Sequence, residues 1–250
     1  NYADKDAKDV FNLFSGSKIY NSIHKLLLVN QQVTSTLHTD IEKLISTASK
    51  NDVVILFYAG HGILNKDMDY FLSAYDVDFI HPEAKGIAYE KIERALQNCR
   101  ARQKLFFIDA CHSGDIEKES AKQVAGNVSD TSGSLVFRAG TTQTHLSQNE
   151  LSLLLSKELF ASAGNSSGTS IIGASMGSQY ALESNKWNNG VFTYALLLAI
   201  DKRKADYNHD KKIMLDELQY FINKSVEELT DGKQKPTTRT ENLIGNIRMR

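Results

Sequence analysis

Apolar residues follow two patterns along the chain, short continuous runs and helical spacing. Two runs, at residues 53–58 and 104–110, are almost uninterrupted, which is typical of strands buried on both faces of a sheet. Further short strands are predicted at residues 24–29, 70–74, 169–174 and 179–182. Helices are predicted at residues 4–13, 34–49, 89–102, 151–161, 191–200 and 215–226. Because strands alternate with helices, we expect an α/β fold with a mostly parallel central sheet and helices on both faces.

One segment interrupts this alternation. Residues 117–150 are rich in Ser, Thr, Gly, Gln and Asn and contain few apolar residues. A long irregular segment inside a compact domain is usually functional or mobile. The chain has no internal repeat, and its 2 prolines exclude a proline-rich linker. A single domain over residues 1–250 is therefore predicted.

Composition narrows the class of protein. A formal net charge of −1 argues against a nucleic-acid partner and against disorder. No apolar run reaches the roughly 20 residues of a membrane span, so no membrane partner is expected. The N-terminus has no signal-peptide pattern. Because 2 cysteines make neither a disulfide framework nor a zinc site, we expect a reducing, cytoplasmic location. Cys99 is expected to pack on the inner face of the helix at residues 89–102.

Two glycine-containing motifs follow the two buried strands. They are Tyr-Ala-Gly-His-Gly, which contains His61 and Gly62, and Asp-Ala-Cys-His-Ser-Gly, which contains Cys111. Catalytic groups collect at the C-terminal ends of parallel strands, where glycines are expected to let the backbone turn sharply. Cys111 is the candidate nucleophile, and His61 is expected to promote its thiolate or to protonate the leaving amine. Backbone N–H groups of Cys111 and Gly62 are candidate oxyanion donors.

The two motifs resemble those of caspase-like cysteine peptidases in their bacterial and metacaspase form. In caspases the histidine lies about 50 residues before the cysteine motif, which fits the separation of 50 here (111 − 61). Residues 2–7, 70–76 and 190–196 also resemble segments of that family. The resemblance implies a Cys–His endopeptidase that acts on protein or peptide substrates and requires no cofactor. It also implies that the family's first strand is missing, because the chain begins inside the loop after it.

The resemblance also carries a specificity. Metacaspases cleave after Arg or Lys with the help of acids, and Asp109 and Asp6 match two such positions. The arginine that caspases cutting after Asp carry in the strand around residues 174–184 is absent here. A buried carboxylate needs a partner, which a substrate Arg supplies with two hydrogen bonds. We therefore predict cleavage after Arg or Lys. The alternative is that Asp109 caps local backbone and Asp6 lies at a solvated helix start.

Residues 117–150 occupy the place where the resemblance implies a processing loop. Lys118, Lys122 and Arg138 are then candidate points of self-cleavage, and the alternative is a surface loop without a role. The trigger is left open among a partner, an upstream protease, a ligand and calcium.

A silent caspase-like scaffold that binds proteins is the alternative to an enzyme, and the intact pair of His61 and Cys111 argues against it. A nucleotide-binding domain is disfavoured because the chain has no phosphate loop.

A further motif precedes the last predicted helix. Asp206, Asn208, Asp210 and Glu217 match positions 1, 3, 5 and 12 of a calcium-binding loop. Lys211 replaces the glycine of position 6, at a cost of about 1 kcal/mol for a left-handed residue. The pattern predicts either a calcium site or a turn that only leads into the helix.

Overall fold

The computed structural model describes residues 2–113, 135–137, 168–175, 181–243 and 245–250. Its strands are β1 (Val53–Leu64), β2 (Tyr70–Leu72), β3 (Ile87–Ala88), β4 (Gln103–Ser113), β5 (Leu135–Phe137), β6 (Thr169–Gly173), β7 (Leu182–Ser184), β8 (Asn189–Gly190) and β9 (Thr237–Glu241). A six-stranded sheet has the order β3-β2-β1-β4-β6-β9, and a small sheet has the order β5-β7-β8. The central strands β1, β4 and β6 run parallel, while β2, β3 and β9 pair antiparallel at the edges.

Helices cover both faces of the six-stranded sheet. They are α1 (Ala3–Ser15), α2 (Leu37–Ile45), α3 (Pro82–Lys85), α4 (Tyr89–Asn98), α5 (Val191–Ile200) and α6 (Leu215–Leu229). Along β4, Leu105 and Phe107 pack into one core with α1, α5 and α6. Phe106 and Ile108 pack into a second core with α2 and α4. This alternation explains why residues 105–108 are apolar at every position, and the layered arrangement confirms the predicted α/β architecture.

The two central strands extend further than their apolar runs. The strand β1 continues through Gly60, His61 and Gly62 to Leu64, so the sharp turn expected at these glycines is wrong. A Cβ atom at Gly62 would collide with the Tyr70 hydroxyl, and one at Gly60 would collide with the Tyr58 hydroxyl. The two glycines therefore make room for tyrosine side chains inside a continuous strand.

The helix predicted at residues 89–102 ends at Asn98, so Cys99 lies one residue beyond it and not on the helix face. The chain becomes extended at Cys99, with ψ of 135°, because it must cross into β4. Cys99 is nevertheless buried, and its thiol donates a weak hydrogen bond to the Ile45 carbonyl at 3.6 Å. Its interpretation as a packing residue agrees with these contacts.

The strand predicted at residues 24–29 does not form. This segment pairs with no strand in the described part of the chain. A cavity of about 800 Å³ is lined by the segment, by α1 and α2, and by residues 53–61 of β1. The segment and β1 therefore share a cavity and not a hydrogen-bond ladder. On the β2 side of β1, the pairing seen within the described residues is that of Gly62–Leu64 with β2.

Three further predictions fall wholly or partly outside the described residues. They are the helix at residues 151–161, the loop at residues 117–150 and the first two residues of the strand at residues 179–182. Leu182 itself begins β7. Among the helices that the structure describes, none combines the length and the apolar character needed to cross a membrane.

Candidate active site

The parallel pairing of β1 with β4 brings the two sequence motifs together. The Cα of Ala59 pairs with that of Asp109, and the Cα of His61 pairs with that of Cys111. Adjacent strands lie about 4.8 Å apart, so positions 61 and 111 are neighbours although 50 residues separate them. The Cys111 side chain lies outside the described part of the molecule.

Hydrogen bonds to the backbone hold His61 in place. Its N–H donates to the Ser73 hydroxyl at 3.2 Å, and the Ser73 N–H donates to the His61 carbonyl at 2.8 Å. The Tyr58 hydroxyl also donates to the His61 carbonyl, at 3.1 Å. The bonds with Ser73 anchor β1, at His61, to the residue that follows β2.

The His61 imidazole packs against Phe79. The two ring centroids are 5.6 Å apart and the planes meet at 72°, an edge-to-face contact. Such a contact restricts the orientation of the imidazole without using a ring nitrogen. Sequence reasoning assigned no role to Phe79 or Ser73. Residues 70–76 carry only the family resemblance, because a contact with a residue distant in sequence, such as that of Ser73 with His61, leaves no local pattern.

Asp109 belongs to β4, is fully buried, and contacts the first turn of α5. Its Oδ2 accepts hydrogen bonds from the Thr193 hydroxyl at 2.6 Å and from the Thr193 N–H at 3.3 Å. Thr193 lies in the first turn of α5, where free N–H groups favour a negative charge. The backbone-cap alternative for Asp109 thus describes a real contact, although the helix it caps is remote in sequence.

Asp6 is also fully buried, so the alternative of a solvated helix start is wrong. Its Oδ1 accepts a hydrogen bond from the Asn189 side-chain amide at 2.8 Å. The Gly190 N–H lies 3.3 and 3.2 Å from its two carboxylate oxygens. Gly190 directly precedes α5, so Asp6 and Asp109 meet the same helix N-terminus from two different elements.

A third buried acid, Glu183, contacts the residue that precedes α1. Glu183 of β7 is only 4% exposed and accepts a hydrogen bond from the Tyr2 N–H at 3.2 Å. A nearby cation is Lys5, which forms an ion pair with Asp9 at 2.6 Å and donates to Asn189 at 3.3 Å. Glu183 belongs to no sequence motif, so its burial in the short strand β7 is not predictable from the sequence. The region around Asn189 is therefore predominantly acidic.

The oxyanion prediction concerns backbone groups. Gly62 lies between two neighbouring strands, with its Cα paired to His112 in β4 and to Leu72 in β2. The oxyanion roles of the Gly62 and Cys111 N–H groups stay predictions.

The predicted calcium loop contains hydrogen bonds of its own. Asp206 Oδ2 accepts from the Lys211 N–H at 3.1 Å, and Glu217 Oε2 accepts from the Met214 N–H at 3.0 Å. Lys211 has a φ of 68°, the left-handed conformation that position 6 requires. In the described residues, no three His, Cys, Asp or Glu side chains are placed to hold a metal. Calcium binding at Asp206, Asn208, Asp210 and Glu217 stays a prediction.

Comparison with known proteins adds the family to this geometry. The crystal structure of protein GSU0716 from Geobacter sulfurreducens is similar, with a TM-score of 0.62, over 97% of this chain and 87% of that chain. Because only 16% of the residues are identical, this likeness shows the fold alone. No curated protein matches the chain. A family model described as the caspase domain matches residues 1–247, which include both motifs and both acids. The chain therefore belongs to the caspase-domain family.

Proposed function

We propose that the protein is a cysteine endopeptidase in which Cys111 is the nucleophile and His61 is the acid and base. The pairing of positions 61 and 111 across β1 and β4 is the observation that carries this proposal. Membership of a peptidase family implies protein substrates. The two hydrogen bonds between the backbone of His61 and Ser73 and the contact with Phe79 support it further, because a proton carrier must be held in one place.

The reaction proceeds in two steps. The Cys111 thiolate attacks the carbonyl carbon of the scissile bond, and the proton held on His61 passes to the leaving amine as the C–N bond breaks. Water then attacks the resulting thioester with His61 as the base, which releases the acid and restores the thiol. Backbone N–H groups of Cys111 and Gly62 stabilise the oxyanion in both steps.

The substrate pocket takes Arg or Lys. Asp6 and Asp109 are both buried at the N-terminus of α5 and contribute two carboxylates. The hydrogen bonds from Asn189, Gly190 and Thr193 hold the two carboxylates in place, and a guanidinium or ammonium group of the substrate is the cation whose donors match them. The cation of the substrate would then compensate negative charge that the buried site holds at a cost.

Covalent labelling tests the nucleophile. A peptide chloromethyl ketone with Lys at the cleavage position is expected to add once to the wild-type protein, at Cys111, because only an activated thiolate displaces the chloride quickly. The measurement is intact mass followed by peptide mapping. Cys99→Ala serves as the matched control and should label like the wild type. A wild-type protein that never forms the adduct, or a Cys111→Ala variant that still does, supports the silent scaffold instead.

Self-processing is the second expectation for the same nucleophile. Purified wild-type protein is expected to yield fragments that end at Lys118, Lys122 or Arg138. The Cys111→Ala variant should remain intact, since it has no nucleophile. Time-resolved intact-mass analysis follows both proteins under the same conditions. Identical masses throughout would exclude self-processing and would leave residues 117–150 as a surface loop.

A further inference from the structure

A buried side-chain amide joins two strand ends. Gln234 is 0% exposed and lies between α6 and β9. Its Nε2 donates a hydrogen bond to the Ala174 carbonyl at 2.8 Å, and its Oε1 accepts one from the Leu182 N–H at 2.7 Å. Ala174 directly follows β6, and Leu182 is the first residue of β7. One amide group thus bridges the end of one strand and the start of the next.

The Gln234 amide supplies both the donor and the acceptor that this position needs. A carbonyl oxygen can only accept and a backbone N–H can only donate, so the bridging group needs one donor and one acceptor. The backbone of Gln234 is held as well, because its N–H donates to the Thr230 hydroxyl at 3.1 Å. That hydroxyl donates in turn to the Val226 carbonyl at 2.7 Å, which ties the bridge to α6. Because the side chain is fully buried, losing it would leave a buried carbonyl and a buried N–H without this partner, which is costly.

The two bridged strand ends lead to the two acids. On one side, the Ala174 N–H donates to the Ile108 carbonyl at 2.8 Å, and Ile108 directly precedes Asp109. On the other side, β7 pairs with β8 through Glu183 and Gly190. Gly190 then donates its N–H to Asp6. The Gln234 amide is therefore a short link between the strand that carries Asp109 and the strand pair that positions the partner of Asp6.

We propose that Gln234 is a positioning residue that sets the separation of Asp6 and Asp109 for a basic substrate side chain. This inference rests on the proposed function, and specifically on its preference for Arg or Lys. Loss of the bridge lets the two strand ends move apart. A displacement of about 1 Å in a bidentate site is enough to weaken recognition strongly.

The test uses binding to the full chain in the Cys111→Ala background, so that catalysis does not enter. Two fluorescent peptides differ only at the cleavage position, Arg in one and its neutral isostere citrulline in the other. Gln234→Met keeps the volume and removes both hydrogen bonds. It is expected to raise the Kd of the Arg peptide about tenfold and to leave that of the citrulline peptide within twofold. Gln219→Met, on α6 and away from the two acids, is the matched control and should change neither Kd.

The outcomes separate the two ideas. Equal Kd values for both peptides in the Cys111→Ala parent would refute the basic preference and this inference with it. A parent that prefers Arg together with a Gln234→Met variant that keeps the same preference would overturn only this inference. A purely structural role would lower the melting temperature and weaken both peptides alike, which also overturns it. If Gln234→Met fails to fold, Gln234→Asn keeps a neutral amide that is one methylene too short to reach both Ala174 and Leu182, and it is expected to change the same ratio.

Discussion

Replacing His61 with alanine is expected to lower kcat/KM for a peptide substrate about 10³-fold at neutral pH. The variant keeps the backbone of β1, and a Cβ atom is already present at this position. It loses the group that holds the proton for the leaving amine and that promotes the thiolate. The loss should fall mainly on kcat, because an imidazole that acts on the reacting atoms contributes more in the transition state than in the bound substrate.

Steady-state kinetics over a range of pH measures this effect. The wild type should show a bell-shaped profile, and His61→Ala should lose the limb that histidine contributes. His24→Ala is a suitable control, since His24 lies near Asp52, which precedes β1, at the opposite end of the strand. A His61→Ala variant that keeps kcat/KM within a few-fold of the wild type would remove His61 from the mechanism.

Replacing Asp109 with asparagine is expected to abolish the preference for a basic residue at the cleavage position. The carboxamide keeps an oxygen that accepts from Thr193, so the contact with α5 survives while the charge is lost. Removing one partner of a buried ion pair costs about 3 kcal/mol or more, which corresponds to roughly 10²-fold or more in kcat/KM for an Arg substrate. Hydrolysis of the citrulline substrate should change only a few-fold.

The ratio of the two kcat/KM values is the quantity to measure. Because both substrates share one enzyme preparation, a loss of folded protein cancels from this ratio. Asp4→Asn is the control: Asp4 lies in the first turn of α1, as Asp6 does, but it is bound to Lys8 at the surface. If Asp109→Asn lowers the melting temperature and preserves the Arg-to-citrulline ratio, Asp109 is only a helix cap and the specificity proposal fails.

The apolar runs and helical spacings identified most of the described elements, because each depends on local spacing. The runs at residues 53–58 and 104–110 became β1 and β4, which lie between the two cores. The strand predicted at residues 24–29 does not form, because strand formation also depends on parts of the chain that are distant in sequence. Its composition suits a strand, but pairing requires a neighbouring edge, and no property of the segment itself supplies one.

The candidate site was predictable in its reactive residues and not in their supports. His61 and Cys111 stand in recognisable motifs, whereas the partners of the acids, Thr193 and Gly190, are more than 80 residues from Asp109 and Asp6 in the chain. Gln234 has no motif at all. A glycine suits both a tight turn and a crowded strand, so the sequence alone does not distinguish the two roles of Gly60 and Gly62. The deciding fact is where the side chains of two tyrosines lie in the folded protein, and the sequence does not show this.

The parallel ladder between β1 and β4 determines where the chain tolerates insertions and deletions. Residues 65–102, between β1 and β4, form separate elements, so the length of their connections is free to vary without disturbing the pairing of the two motifs. Within β1 or β4 themselves, an insertion or deletion would disturb the pairing. One added or removed residue before His61 or Cys111 would shift the register and exchange the two faces of the strand from that point on. Change in length is therefore confined to the loops, and the hydrogen-bond ladder itself keeps His61 and Cys111 side by side.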